Sequence, residues 1–198
     1  RWLNRLGYYV FLLIHRFPDA NNGPSAPLDD AHAAMALARA GGYAEQGLGV
    51  MGLSSGGHLA ACLVADYPAA WGKAVPQLPD LLVIGYAPIS TNAKGRTVVA
   101  DKPPLPPVEK QALYDVLQPD AQLLPDPPPT FIVYAGNDPV VPVENAHRLH
   151  AALRAAGGSA ELHIFADAPH GFALDTADMP VSIWPTLCEA WLRQVGFL

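Results

Sequence analysis

The residues best suited to covalent chemistry in this chain lie in Val50-Met51-Gly52-Leu53-Ser54-Ser55-Gly56-Gly57-His58-Leu59-Ala60. A serine hydroxyl is a weak nucleophile, so it must project where a base can reach it. An apolar run enters Gly52-x-Ser54-x-Gly56 and a helical pattern leaves it, which is the setting of a strand-to-helix nucleophile elbow. Glycines on either side allow a strained turn to pack closely. Only Ser54 parses, because it has glycine at both −2 and +2, whereas Ser55 has Leu53 at −2.

Such a serine needs a base, and the base needs an orienting carboxylate. Asp138 in Gly136-Asn137-Asp138-Pro139-Val140-Val141-Pro142 follows one strand-like run. His170 in Asp167-Ala168-Pro169-His170-Gly171-Phe172 follows the next. The order Ser, Asp, His is that of one widespread hydrolase arrangement, with spacings of 84 and 32 residues. Asp138 alone reads equally as a turn former before Pro139, and His170 alone as an ordinary loop histidine. Asp167 is the rival carboxylate, but at three residues before His170 it suits the turn. Asp175 and Asp178 lie beyond the histidine and break the order. His147 and His150 share a helix without a carboxylate or cysteine to complete a metal site. His58 suits packing, and His15, His32 and His163 carry no motif. Neither a metal nor a cofactor is expected.

The elements that position these residues follow from periodicity. Tyr8–His15, Leu48–Leu53, Leu81–Tyr86, Thr130–Ala135 and Glu161–Phe165 read as five buried strands, mostly continuous in apolar character. Helical patterns cover Pro27–Ala40, Ser55–Tyr67, Pro107–Leu117, Pro142–Ala156 and Trp184–Val195. Alternation of the two predicts an α/β domain with a mainly parallel sheet, and ligands gather at the carboxyl ends of such strands. Ser54, Asp138 and His170 all fall there.

Length suits one domain, 1–198. Nine of the 21 prolines fall between Pro103 and Pro129, so the connection 89–129 is expected to be irregular, cap-like and next to the pocket. The net charge of −6, with only 15 % charged residues, argues against nucleic acid as a partner. No apolar run is long enough to span a bilayer. Cys62 and Cys188 form no disulfide framework. No signal peptide is visible, which favours a cytoplasmic location, although the chain opens with Arg1 rather than Met.

Gly52-Leu53-Ser54-Ser55-Gly56-Gly57-His58-Leu59-Ala60 resembles the elbow of bacterial α/β-hydrolase carboxylesterases, in particular those related to acetyl xylan esterases and hormone-sensitive-lipase-like esterases. The resemblance runs on through Pro128-Pro129-Thr130-Phe131, Gly136–Asn145 and Glu161–Phe165 to His170-Gly171-Phe172. It implies a three-layer α/β-hydrolase-like sandwich, with Ser54 as nucleophile, Asp138 as acid and His170 as base. The substrate would be a small-molecule ester with a short acyl group, acetylated sugars included. The Ser55 backbone N–H would supply one oxyanion donor.

Two other functions compete with the esterase. A serine peptidase of the prolyl-oligopeptidase kind shares the elbow, and a binding module could keep the scaffold without turnover. The resemblance also carries an expectation about the start of the chain. Arg1–Gly7 looks like the end of the helix before the Tyr8–His15 strand, so the loop giving a second oxyanion N–H has no counterpart. That describes a truncated or minimal hydrolase lacking the family's N-terminal strands and active mainly on activated esters. Its sheet edge would be either closed by direct pairing of Tyr8–His15 with Leu48–Leu53 or left open to a homodimer.

Overall fold

A computed structural model describes residues 2–68, 71, 78–90 and 106–198. Its elements run in the order α1 (Trp2–Arg5), α2 (Ala26–Ala40), β1 (Gly49–Leu53), α3 (Ser55–Cys62), β2 (Leu81–Gly85), α4 (Val108–Val116), α5 (Pro119–Gln122), β3 (Thr130–Ala135), α6 (Glu144–Ala155), β4 (Ala160–Phe165) and α7 (Trp184–Gln194). A 3₁₀ turn, Pro180–Ile183, leads into α7. The four strands form one parallel sheet in the order β1-β2-β3-β4.

The central strands are set apart by burial at every position, Thr130 included. Leu81–Gly85 and Thr130–Ala135 are buried throughout, as strands covered on both faces must be. The outer strands are less covered, and β4 carries Glu161 and His163, hydrogen-bonded to each other at 2.7 Å. Helices α3, α6 and α7 pack on the sheet and close the main core around Phe131, Tyr134, Leu149 and Trp184. A second apolar cluster joins α2, α3 and α4 through Leu28, Met35, Leu59, Leu63 and Leu113.

The fold is the expected α/β architecture, with four strands where five were read. Tyr8–His15 is the exception. Residues 8–18 form neither helix nor strand, and Tyr9, Phe11, Leu12 and Ile14 are between 63 % and 89 % exposed. An apolar run becomes a strand only where a neighbour offers N–H and C=O groups in register, and among the described residues β1 pairs with β2 alone. The segment is held by side chains instead. The Arg16 guanidinium and backbone N–H both bond the Asp30 carboxylate on α2, which holds that carboxyl below its usual range. Tyr9 and Phe11 meet the ring of Tyr43 edge-on.

The expected helix Ser55–Tyr67 is also shorter than read, ending at Cys62. Beyond it, Ala65 bridges to Leu123 and the Asp66 N–H donates to the Gln122 carbonyl, so this chain pairs across to the end of α5. The connection 89–129 contains α4 and α5, and its residues 91–105 lie outside the described ones.

Candidate active site

Ser54 is the single residue between β1 and α3, and it takes φ +52° and ψ −125°. That conformation costs a non-glycine residue roughly 1–3 kcal/mol and persists only where its surroundings fix it. Here the Ser54 N–H donates to the Gly85 carbonyl of β2 at 2.9 Å, while its own carbonyl accepts from the N–H groups of Gly57 and His58. The two glycines of the motif serve different ends. A Cβ on Gly52 would lie 2.1 Å from the Gly56 carbonyl oxygen, so the turn excludes any side chain there. A Cβ on Gly56 would meet nothing within 4 Å, whereas one on Gly57 would strike Ala87 at 2.6 Å.

The carboxyl ends of three strands bring the sequence-derived residues together. Ser54 Oγ lies 2.9 Å from His170 Nε2, and His170 Nδ1 lies 2.8 Å from Asp138 Oδ2. The Asp138 side chain is fully covered, and its Oδ1 accepts the N–H groups of Val140 and Val141 at 2.8 and 2.9 Å. Those two donors fix the carboxylate so that the other oxygen faces the imidazole. Asp167 is turned elsewhere, accepting a hydrogen bond from the Asn137 amide. The Ser55 N–H opens α3 and makes no hydrogen bond among the described residues, leaving a donor free next to Ser54.

Other neighbours complete the surroundings. Tyr86, just past β2 at φ +37°, sets its ring edge-on to the His170 imidazole at 5.2 Å and to Phe172 at 4.6 Å. Its phenol hydrogen-bonds the backbone of Ala173, beyond the histidine. Tyr86 had no motif to announce it; its one signal was an aromatic residue at a strand's carboxyl end, one strand over from the serine. Beside Ser55 a recess opens between the N-terminal segment, α3 and α4, lined by Phe17, Pro27, Ser55, Leu59, Leu113 and Tyr114. The 89–129 connection therefore borders the recess, through α4.

His58 is buried beneath it and belongs to the packing. Its Nε2–H donates to the Leu117 carbonyl at 2.9 Å, and its ring lies 4.4 Å from that of Tyr114. Burial pushes the imidazole down to about 4, against 6.5 when free. The unfolded chain therefore takes up a proton that the folded chain refuses. Stability from this residue is complete above about pH 6.5 and declines as pH falls toward 4, by about 3 kcal/mol in all. Urea unfolding at pH 7 and pH 4.5 should show a drop that is clearly smaller in His58→Gln; equal drops would mean that His58 protonates freely in the fold. Among the described residues, no cluster of His, Cys, Asp and Glu is suited to a metal ion. No described helix is long and apolar enough to cross a membrane.

Fold and site together define an α/β-hydrolase. The chain belongs to the prolyl oligopeptidase family, whose family model it matches over residues 19–192. Over its whole length it superposes on 75 % of the acetyl ester-xyloside bifunctional hydrolase of Caldicellulosiruptor lactoaceticus, with 31 % identity and a TM-score of 0.77. Thermogutta terrifontis esterase 2, solved phosphonylated by sarin, shares the fold: 22 % identity and a TM-score of 0.71 over 90 % of this chain and 69 % of that one. A 44-residue stretch, 22 % of this chain, is 46 % identical to the non-reducing polyketide synthase ausA of Penicillium brasilianum, and it spans only 2 % of that protein. The solved relatives that share this fold are esterases and ester hydrolases.

Proposed function

We propose that this protein hydrolyses carboxylic esters with short acyl groups, acetylated sugars among them, through Ser54, His170 and Asp138. The observation that carries the reading is the aligned relay from Ser54 Oγ through His170 to the covered Asp138 carboxylate, at 2.9 and 2.8 Å. His170 Nε2 accepts the Ser54 proton as Oγ bonds to the ester carbonyl carbon, and Asp138 steadies the imidazolium. The carbonyl π electrons move to the oxygen, where the Ser55 N–H donates to the developing oxyanion. Collapse expels the alcohol, which takes the proton from His170. Water, deprotonated by the same imidazole, then releases the carboxylic acid and restores Ser54. The recess beside Ser55, which His15 and Lys110 also line, suits a small part of the substrate. Acetyl esters are favoured because the solved relative at 31 % identity is an acetyl ester-xyloside hydrolase.

Peptide hydrolysis is the second reading, favoured by the prolyl oligopeptidase family match. The same nucleophile serves either reaction, and the leaving group distinguishes them. A panel of p-nitrophenyl esters of increasing acyl length, acetylated xylosides and matched anilides separates the two, with Ser54→Ala as the blank. Turnover of acetyl and other short esters well above the anilides is expected. Faster anilide cleavage would favour the peptidase. A fluorophosphonate that fails to label Ser54, with every substrate inert, would overturn both in favour of a binding module.

A further inference from the structure

We infer that Asn137 is a positioning residue, latching the loop that carries His170 to the loop that carries Asp138; this rests on the proposed use of Ser54, His170 and Asp138. The β3–β4 ladder ends where the Gly136 N–H donates to the Phe165 carbonyl at 2.7 Å. Beyond that rung the two loops have no further backbone pairing to each other among the described residues. The Asn137 side chain continues the connection. Its Nδ2–H donates to Asp167 Oδ1, and its Oδ1 accepts the Ala168 N–H at 3.1 Å. Ala168 itself is buried, two residues before His170, while Asp138 is the very next residue after Asn137. One amide thus ties the two halves of the His170–Asp138 hydrogen bond by a second route.

This role explains why both an amide and a carboxylate stand at the rim. An alanine at 137 would leave both Asp167 and the Ala168 N–H to water. An aspartate at 137 could still accept from the Ala168 N–H, but it would set a second carboxylate against Asp167. Exchanging the two residues rebuilds the latch: an aspartate at 137 accepts from the Ala168 N–H and from the amide of an asparagine at 167. No group that touches the reacting atoms changes in any of these variants.

The test compares Asn137→Ala, Asn137→Asp, Asp167→Asn and the double exchange N137D/D167N on p-nitrophenyl acetate. Asn137→Ala and Asn137→Asp should each lower kcat by about three- to tenfold with KM within about twofold, as expected for losing an exposed hydrogen-bonded pair together with the bond to the Ala168 N–H. Asp167→Asn should remain close to the unmodified protein, since two amides still bond. The double exchange should recover to within about twofold of the unmodified protein, which a general loss of stability would not allow. The NMR signal of the His170 Nδ1 proton gives an independent readout: broadened in Asn137→Asp and sharp again in the double exchange. Unchanged kcat and an unchanged signal in both Asn137 variants would overturn the latch, as would a double exchange no better than Asn137→Asp. If the unmodified protein turned over no ester, the functional reading would fail, and the signal alone would still decide the latch.

Discussion

Asp138→Asn is expected to lower kcat by about 10³–10⁴ while leaving the fold intact. The Val140 and Val141 N–H groups donate to one side-chain oxygen of Asp138, and they hold the carbonyl oxygen of an asparagine in the same place. The amide nitrogen must then face His170 Nδ1 with a donor where the carboxylate offered an acceptor. The imidazole answers by carrying its proton on Nε2, the atom that has to accept the proton of Ser54. Geometry survives and the tautomer is wrong. Asp167→Asn changes a carboxylate that bonds Asn137 instead of the histidine, so its effect should be slight. Steady-state kinetics on an activated ester, with circular dichroism and thermal melts as controls, check both. A silent Asp138→Asn beside an inactive Asp167→Asn would assign the acid role to the wrong carboxylate.

The second large effect is structural and divides two glycines that look alike in the motif. Gly52→Ala should destabilise the protein by about 3 kcal/mol or more and abolish activity with it. The added methyl would sit 2.1 Å from the Gly56 carbonyl oxygen and 2.8 Å from the Gly57 Cα, all backbone atoms of the turn and the first turn of α3. Backbone cannot yield by changing a rotamer, so either the strand end or the helix start must move, and both hold Ser54. Gly56→Ala meets open space within α3, so it should be neutral or stabilising by up to about 1 kcal/mol, because alanine loses less freedom on entering a helix. Denaturant unfolding of the two variants gives the comparison. Equal stabilities would show that the turn relaxes around Gly52, contrary to its close packing.

The local parts of the site are legible in the order of the residues alone. Strand, Gly52-x-Ser54-x-Gly56 and helix lie within fourteen residues, and the strained turn needs a glycine at 52, where no side chain fits. The nearly continuous apolar runs at Leu81–Gly85 and Thr130–Ala135 pointed to strands buried on both faces, and both are. Strand ends then brought a serine, a carboxylate and a histidine to one edge. Which carboxylate meets the imidazole was decided by tertiary structure: Asp138 and Asp167 both sit on the right loops, and the Val140 and Val141 donors, with Asn137 opposite, settle where each one points. Tertiary structure also decided the fate of Tyr8–His15. Hydrophobic periodicity reports what a segment can bury, and pairing requires a neighbour in register, so an apolar run with none stays outside the sheet and exposed. Tyr86 was invisible for a related reason: its contact with His170 joins residues 84 positions apart, and only the folded sheet makes them neighbours.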